Sequence, residues 1–482
     1  MLFSSPIFLF LFLPIVLGVY YLIQKSFRNY FLLFSSLVFF AWGGVSYSLL
    51  MLVSITFNYL FGRGIGKGRG SKNSRVYLIL GIIVNVLFLG VFKYTGFIVN
   101  NLNFLSDIFT FTPITDPGII LPIGISFYTF HSMSYLIDVY RGESEMQRNP
   151  FNLGLYIALF PQLIAGPIIR YHDIANQLEH RSSTINGFSY GLRRFILGLG
   201  KKVLLANQMG AIADSAFGTP VSELTGSLAW LGLITYALQI YLDFSGYSDM
   251  AIGLGQMFGL RFLENFNYPY ISRSIKEFWR RWHISLSNWF RDYLYIPLGG
   301  SRISKWRTNL NLMIVFFVTG LWHGASWSFV AWGFIHGFCI IAERLSNNRF
   351  PQKLWQPLQH FYTIFVVLMA WVLFRADDIG YAWGYYGVLF GGSTAIPDMI
   401  IYNKVLNNDF LLFFVLSILS ATGLLAYLGK YFDNYMERLY QHNQVLAETI
   451  RMTKAIGLAF ILVICATFLI SNTYNPFIYY RF

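Results

Sequence analysis

Long apolar stretches, interrupted at short intervals by a few charged residues, run through this chain from end to end. The first ends before Lys25 and Arg28. Tyr30–Trp42 and Val45–Phe61 follow, then a loop, GRGIGKGRGSKNSR, with five basic residues and no acid. Val76–Val99 leads to a loop holding Asp107 and Asp116 without Lys or Arg, and Ile119–Tyr140 returns to RGESEMQR. Basic loops alternating with base-free ones are the bias that orients membrane proteins, and they predict cytoplasmic basic loops with both chain ends outside. Phe151–Ile169 contains Pro161, Gly166 and Pro167, which predicts a broken or re-entrant segment buried in protein or lining a cavity. Residues 170–202, rich in Arg and Lys, are expected along the cytoplasmic face. Val203–Phe217, Ser227–Leu260, Phe329–Ala342, Phe361–Phe374, Phe410–Leu428 and Ala455–Ile470 complete the pattern. Together with the histidine region below, they predict an all-α polytopic domain over residues 1–482 with about eleven or twelve crossings. Residues 472–482 form an extracytoplasmic aromatic tail.

Composition agrees. The chain is 55% hydrophobic and 12% charged, where soluble domains carry roughly 25% charged residues. Its formal net charge of +13 is what positive-inside loops produce, and it does not call for nucleic acid. Cys339 and Cys465 each lie in an apolar run, so neither a disulfide nor a metal site is expected. The N-terminal stretch has no positive n-region or small-residue cleavage site and reads as a retained helix.

The chemistry concentrates between Ser274 and Trp327. SIKEFWRRWHISLSNWF can be written as a helix with Ile275, Phe278, Trp279, Trp282, Leu286, Trp289, Phe290 and Tyr293 on one face. Arg280, Arg281 and Arg291 lie opposite and His283 at the rim, an arrangement suited to the interface or a shallow re-entrant position. His323 lies in the apolar run NLNLMIVFFVTGLWHGASW. A histidine there either meets a partner from a neighbouring helix or does chemistry, and position alone does not choose. Asp243 and Asp249 are intramembrane acids that orient a base, hold an arginine or pair within the bundle. His131 and Asp138 share a helix face and read as packing. His336 falls on the opposite side from His323 if one helix carries both. GRGIGKGRG lacks the strand–loop–helix setting of a phosphate cradle.

The strings WRRWHISLSNWFRDYLYIPLGG and LWHGASW, with LPIGISFYTFHSMSYLIDVYRG, FPQLIAGPIIR and YLDFSGYSDMAIGLG, resemble the membrane-bound O-acyltransferase family, in its alginate and peptidoglycan O-acetyltransferase branch. The resemblance implies a ring of tilted helices around a thin partition, with a central funnel open from both sides. It makes His323 the catalytic histidine and His283 the second family histidine, and it places Asp243, Ser245, Tyr247, Arg280, Trp282, Asn288 and Trp322 along the funnel. It implies acetyl-CoA as a donor substrate with no bound cofactor, an extracytoplasmic SGNH-hydrolase-like partner and a polysaccharide acceptor reached indirectly. The end of the chain, PFIYYRF, resembles a C-terminal motif in which a tyrosine accepts the acyl group, and Tyr479 matches it. The plain reading of that tail is an aromatic anchor at the interface.

A hydroxyl acceptor is a weak nucleophile at neutral pH, and an imidazole of ordinary pKa about 6.5 can take its proton during attack on a thioester. Arg280 and Arg281 either hold the donor's phosphates or are ordinary positive-inside charges. The competing classes are transfer of D-alanine or another acyl group, a transporter of polymer precursor, and a scaffold for secreted enzymes. The orientation has a direct check: a cysteine at Ser71 is expected to resist an impermeant external thiol reagent, and ready labelling would reverse the topology.

Overall fold

The computed structural model describes residues 1–109, 112–163, 166–346, 349–392, 395, 407–442, 444–471 and 474–476. Among these the backbone is helix, turn and loop, with no strand. Among the described residues six helices are long and apolar enough to cross a bilayer: Val45–Lys67, Lys72–Ser106, Gly226–Met257, Trp327–Leu345, Gln356–Arg375 and Gln444–Ser471. Asn408–Ala421 and Leu424–Met436 make a seventh if counted as one span bent by 69°. Gly423 takes a positive φ of 79° at that bend, a conformation glycine adopts without steric cost. The larger number expected from the sequence also took in shorter apolar helices such as Arg28–Ala41 and Ile125–Arg141. At 1.5 Å per residue these rise only about 21–26 Å, short of a hydrocarbon core of about 30 Å.

Gly226–Met257 is the hub. Its 32 residues extend about 48 Å, and it packs against Ile185–Gly200, Asn207–Gly218, Gln356–Arg375 and Asn408–Ala421. Lipid offers no hydrophobic drive for helix association, so close backbone approach through small residues has to supply it. Gly253 does this against Gly191: a Cβ at Gly253 would stand 2.5 Å from the Gly191 carbonyl oxygen.

One expected segment differs from the sequence reading and another agrees with it. The basic loop expected to begin after Phe61 is mostly helix, because Val45–Lys67 continues through buried Gly62 and Ile65 and leaves a turn at residues 68–71. Ser71 then caps the next helix, its Oγ accepting from the Ser74 N–H at 3.2 Å. Phe151–Ile169 is broken as expected, into Pro150–Ala158 and Phe160–Leu163. The short helix Tyr171–Glu179 follows, outside the membrane-spanning helices. The hydrogen bond to the buried Asp138 carboxylate holds its His172 imidazole above the ordinary histidine range. Asp138 also accepts from the Tyr293 hydroxyl at 2.7 Å, so this acid ties the segment after His283 to the Ile125–Arg141 helix.

The glycine contact makes a quantitative expectation. Gly253→Leu should cost about 1–3 kcal/mol or more through overpacking, seen as a lower thermal midpoint of the solubilised protein. Gly457→Leu, at a position where an added Cβ meets nothing within 4 Å, should leave the midpoint unchanged or raise it.

Candidate active site

Lys305–His323 and Trp327–Leu345 form a tight helical pair that carries His323 at its turn. Their backbones nearly touch: a Cβ at Gly320 would lie 2.4 Å from the Phe329 carbonyl oxygen. The first helix therefore ends inside the protein, where its last carbonyls have no water to bond. They are satisfied from a third helix. The Lys93 ammonium donates to the carbonyl oxygens of Trp322 and, at 3.2 Å, His323. The Tyr94 hydroxyl donates to that of Leu321 at 2.8 Å. Lys93 and Tyr94 lie in a π-turn, Gly90–Tyr94, the wide helical turn that recurs at functional sites. The His323 ring is 6% exposed. It stands edge-on to Trp322, Trp332 and Phe374, with ring centroids 5.0–5.1 Å apart.

His283 does not sit on a continuous helix. The stretch splits into Ile275–Arg281 and Ile284–Phe290, and His283 occupies the left-handed region at φ 42°, a conformation that costs a non-glycine residue about 1–3 kcal/mol. Two neighbours enforce the break. The Asn267 N–H donates to the Arg281 carbonyl at 2.9 Å, and the Ile284 N–H donates to that of Asn265, also at 2.9 Å. The apolar face expected for this stretch is buried all the same, from Ile275 to Tyr293. Glu343 holds the first short helix in place, its carboxylate accepting from the N–H groups of Ile275 and Lys276 at 2.6 and 3.1 Å.

Asn265 orients the His283 ring. Its Nδ2 donates to Ser248 Oγ at 3.0 Å, so its Oδ1 is an acceptor, taking a bond from Ser285 Oγ at 2.9 Å. His283 Nδ1 lies 3.2 Å from that same oxygen and must donate to it. That tautomer leaves the lone pair on Nε2, an atom with no hydrogen-bond partner among the described residues. His283 and His323 pack on the same indole, Trp322, at 6.3 and 5.0 Å. Trp322 in turn stacks on Phe130, and Phe130 on Trp289 at 3.7 Å.

A cavity of about 840 Å³ opens beside these residues. Lys276, Arg280, Arg291, Lys305 and Arg344 line it, with Trp279, Phe316 and Thr319 on its walls. Glu343 is the acid among the lining residues, and it is engaged in the helix cap. The cavity reaches Thr319, one helical turn before His323. Of the expected funnel residues, Arg280 and Asn288 line this space. Arg281 does not: it pairs with Glu277 at 2.9 Å. Trp282 packs between Phe266 and Trp371, and Ser245 is buried. Asp243 and Tyr247 belong to a different cluster, where Asp243 meets Lys202 at 3.0 Å and Tyr247 hydrogen-bonds Ser4 at 3.1 Å. Tyr479 lies outside the described residues. Both cysteines are free thiols.

Three residues near the histidines escape a reading of the sequence. Lys93 and Asn265 are distant along the chain and carry no motif. His336 was placed away from His323 on the assumption of one helix. The chain turns at residues 324–326, and both imidazoles contact Trp332, at 5.1 and 5.0 Å.

The model of the MBOAT (membrane-bound O-acyltransferase) family matches residues 133–387, more than half of the chain and both histidines. The chain belongs to this family. Among curated proteins it is 46% identical to a probable alginate O-acetylase AlgI of Azotobacter vinelandii, over 83% of this chain and 80% of that protein. It is 47% identical to the Pseudomonas aeruginosa protein of the same name, over 82% and 76%. A peptidoglycan O-acetyltransferase of Helicobacter pylori is 36% identical over 79% and 78%. The protein is thus a multi-pass membrane O-acyltransferase. For this O-acyltransferase, Asn265→Ala should lower kcat about tenfold to a hundredfold with little change in KM, as when the partner orienting a metal-binding imidazole is removed. Asn265→Asp, which keeps the acceptor facing Nδ1, should recover most of the loss in the same steady-state assay.

Proposed function

We propose that the protein transfers an acetyl group from cytoplasmic acetyl-CoA across the inner membrane, for O-acetylation of an alginate-like exopolysaccharide or peptidoglycan. The observation that carries this reading is the pair of buried imidazoles flanking Trp322 beside a cavity with a basic rim. A basic mouth with apolar walls suits a donor that is polyanionic at one end and carries a small acyl thioester at the other. The names of the relatives supply the acetyl group and the two polymers. In this reading the basic face is cytoplasmic and both chain ends lie outside.

In the transfer, the acceptor oxygen forms a bond to the thioester carbonyl carbon and the carbon–sulfur bond breaks. The proton of the attacking hydroxyl passes to His323 and from there to the leaving thiolate. His283, with its free lone pair on Nε2, orients the acceptor hydroxyl. The first acceptor is Tyr479. A tail from Ser471 to Tyr479 spans about 26–29 Å when extended, enough to enter a hydrocarbon core of about 30 Å from outside. A serine of an SGNH-hydrolase-like partner then takes the acetyl group and passes it to the polysaccharide.

Purified protein with acetyl-labelled acetyl-CoA tests the chemistry. His323→Ala should reduce thiol release and label transfer about 10²–10⁴-fold, the usual range for a lost general base, and unchanged turnover would refute the assignment. Tyr479→Phe keeps the ring and removes the nucleophile. It should abolish label on the chain and acetylation of the polymer, while undiminished polymer acetylation would leave the tail as an anchor.

A further inference from the structure

The last described residues, Tyr474–Pro476, are held in a cradle of polar side chains drawn from across the fold. The Tyr474 hydroxyl donates to Asp214 Oδ2 at 2.6 Å, and the other carboxylate oxygen takes the Arg375 guanidinium at 2.7 Å. Asn475 Nδ2 donates to the Ser4 carbonyl at 3.0 Å. Asn207 Nδ2 lies 3.4 Å from the Tyr474 carbonyl oxygen. The Lys202 ammonium donates to the Pro476 carbonyl oxygen. Lys202 and Asp243 form an ion pair at 3.0 Å with both side chains 1% exposed.

An interfacial anchor needs none of this. A buried lysine is expensive in a membrane protein unless it is paired, and here Asp243 neutralises it while another of its three N–H groups binds the tail. The fold is shaped to bring the two together. Lys202 lies in a π-turn, Lys201–Ala206, and a Cβ at Gly246 would stand 3.2 Å from the Lys202 backbone nitrogen. The cradle also lies close to the histidines. Asp243 is followed on the hub helix by Phe244, whose ring stands edge-on to His283 at 4.6 Å. Tyr479 is the third residue after Pro476, a reach of about 10 Å when extended.

We propose that the Lys202–Asp243 pair, with Asp214 and Asn207, is a positioning clamp that fixes the tail at Pro476 and so sets where its acyl-accepting end meets the active site. This rests on the proposed tail relay. These contacts all fall on Tyr474, Asn475 and Pro476, so an acyl group carried on a side chain further along leaves the hold unchanged.

Two readouts on the full-length protein in lipid nanodiscs test it. The first is carboxypeptidase trimming followed by intact mass. In the native protein, trimming should stall before Pro476. In the double variant Lys202→Met/Asp243→Asn, which strands neither charge, and in Tyr474→Phe, which removes one hydroxyl, trimming past Pro476 should be at least tenfold faster. The second is steady-state thiol release from acetyl-CoA, where both variants should lower kcat at least tenfold with KM for acetyl-CoA unchanged. Native-like trimming in both variants overturns the clamp, whatever Tyr479→Phe does. Faster trimming with unchanged kcat overturns the positioning role. If Tyr479→Phe also turns over normally, the relay falls with it; if that variant is inactive, the relay stands and the clamp alone fails.

Discussion

A helix that ends away from water leaves carbonyl groups that something must satisfy, and this molecule is organised around one such ending. Lys305–His323 stops inside the protein. Its last carbonyls are taken by Lys93 and Tyr94 from another membrane helix. A cation at a helix C-terminus also opposes the negative end of the helix dipole. This arrangement frees His323 from the regular helix and pins its backbone at the same time. The aromatic walls around it, Trp322, Trp332 and Phe374, then leave the ring little room to turn.

The same accounting applies to the side chains around the two histidines. Buried polar atoms in native proteins nearly always have partners, and exceptions call for a reason. Several such exceptions lie near the two histidines, as others do along the Ile125–Arg141 helix. The indole nitrogens of Trp279, Trp322, Trp332 and Trp371, both nitrogens of His336 and Nε2 of His283 have no hydrogen-bond partner among the described residues. Such a lining is poor material for a sealed core. It offers donors and acceptors to a carbonyl or hydroxyl brought between them. Several buried acids are spent on structure: Asp138 on Tyr293 and His172, Asp249 on Arg194 and Lys201, Glu343 on a helix N-terminus.

Much of the fold was legible because lipid imposes a simple rule on composition and length. The spans at Gly226–Met257, Trp327–Leu345 and Gln356–Arg375 lie within a few residues of the apolar runs that announced them. His323 and His283 were also legible, but through motif strings rather than through physics. Periodicity alone misread the His283 stretch as one helix, because the side chains that bury continue across the break. Asn265 and Asn267 supply backbone partners that let the chain turn there, and helical periodicity carries no signal for a partner outside the helix.

By itself, then, the sequence determined that this is a helical membrane protein of the O-acyltransferase family and roughly where its long apolar helices run. These are properties of composition, run length and local motif. Tertiary structure alone decided that Lys93 completes the His323 helix, that Asn265 faces His283 Nδ1, and that Asp243 pairs with Lys202 rather than lining the basic cavity. Each is a hydrogen bond between residues remote in the chain. Such a bond depends on how close two helices come and which faces meet, and glycine contacts such as Gly191–Gly253 and Gly320–Phe329 set those distances.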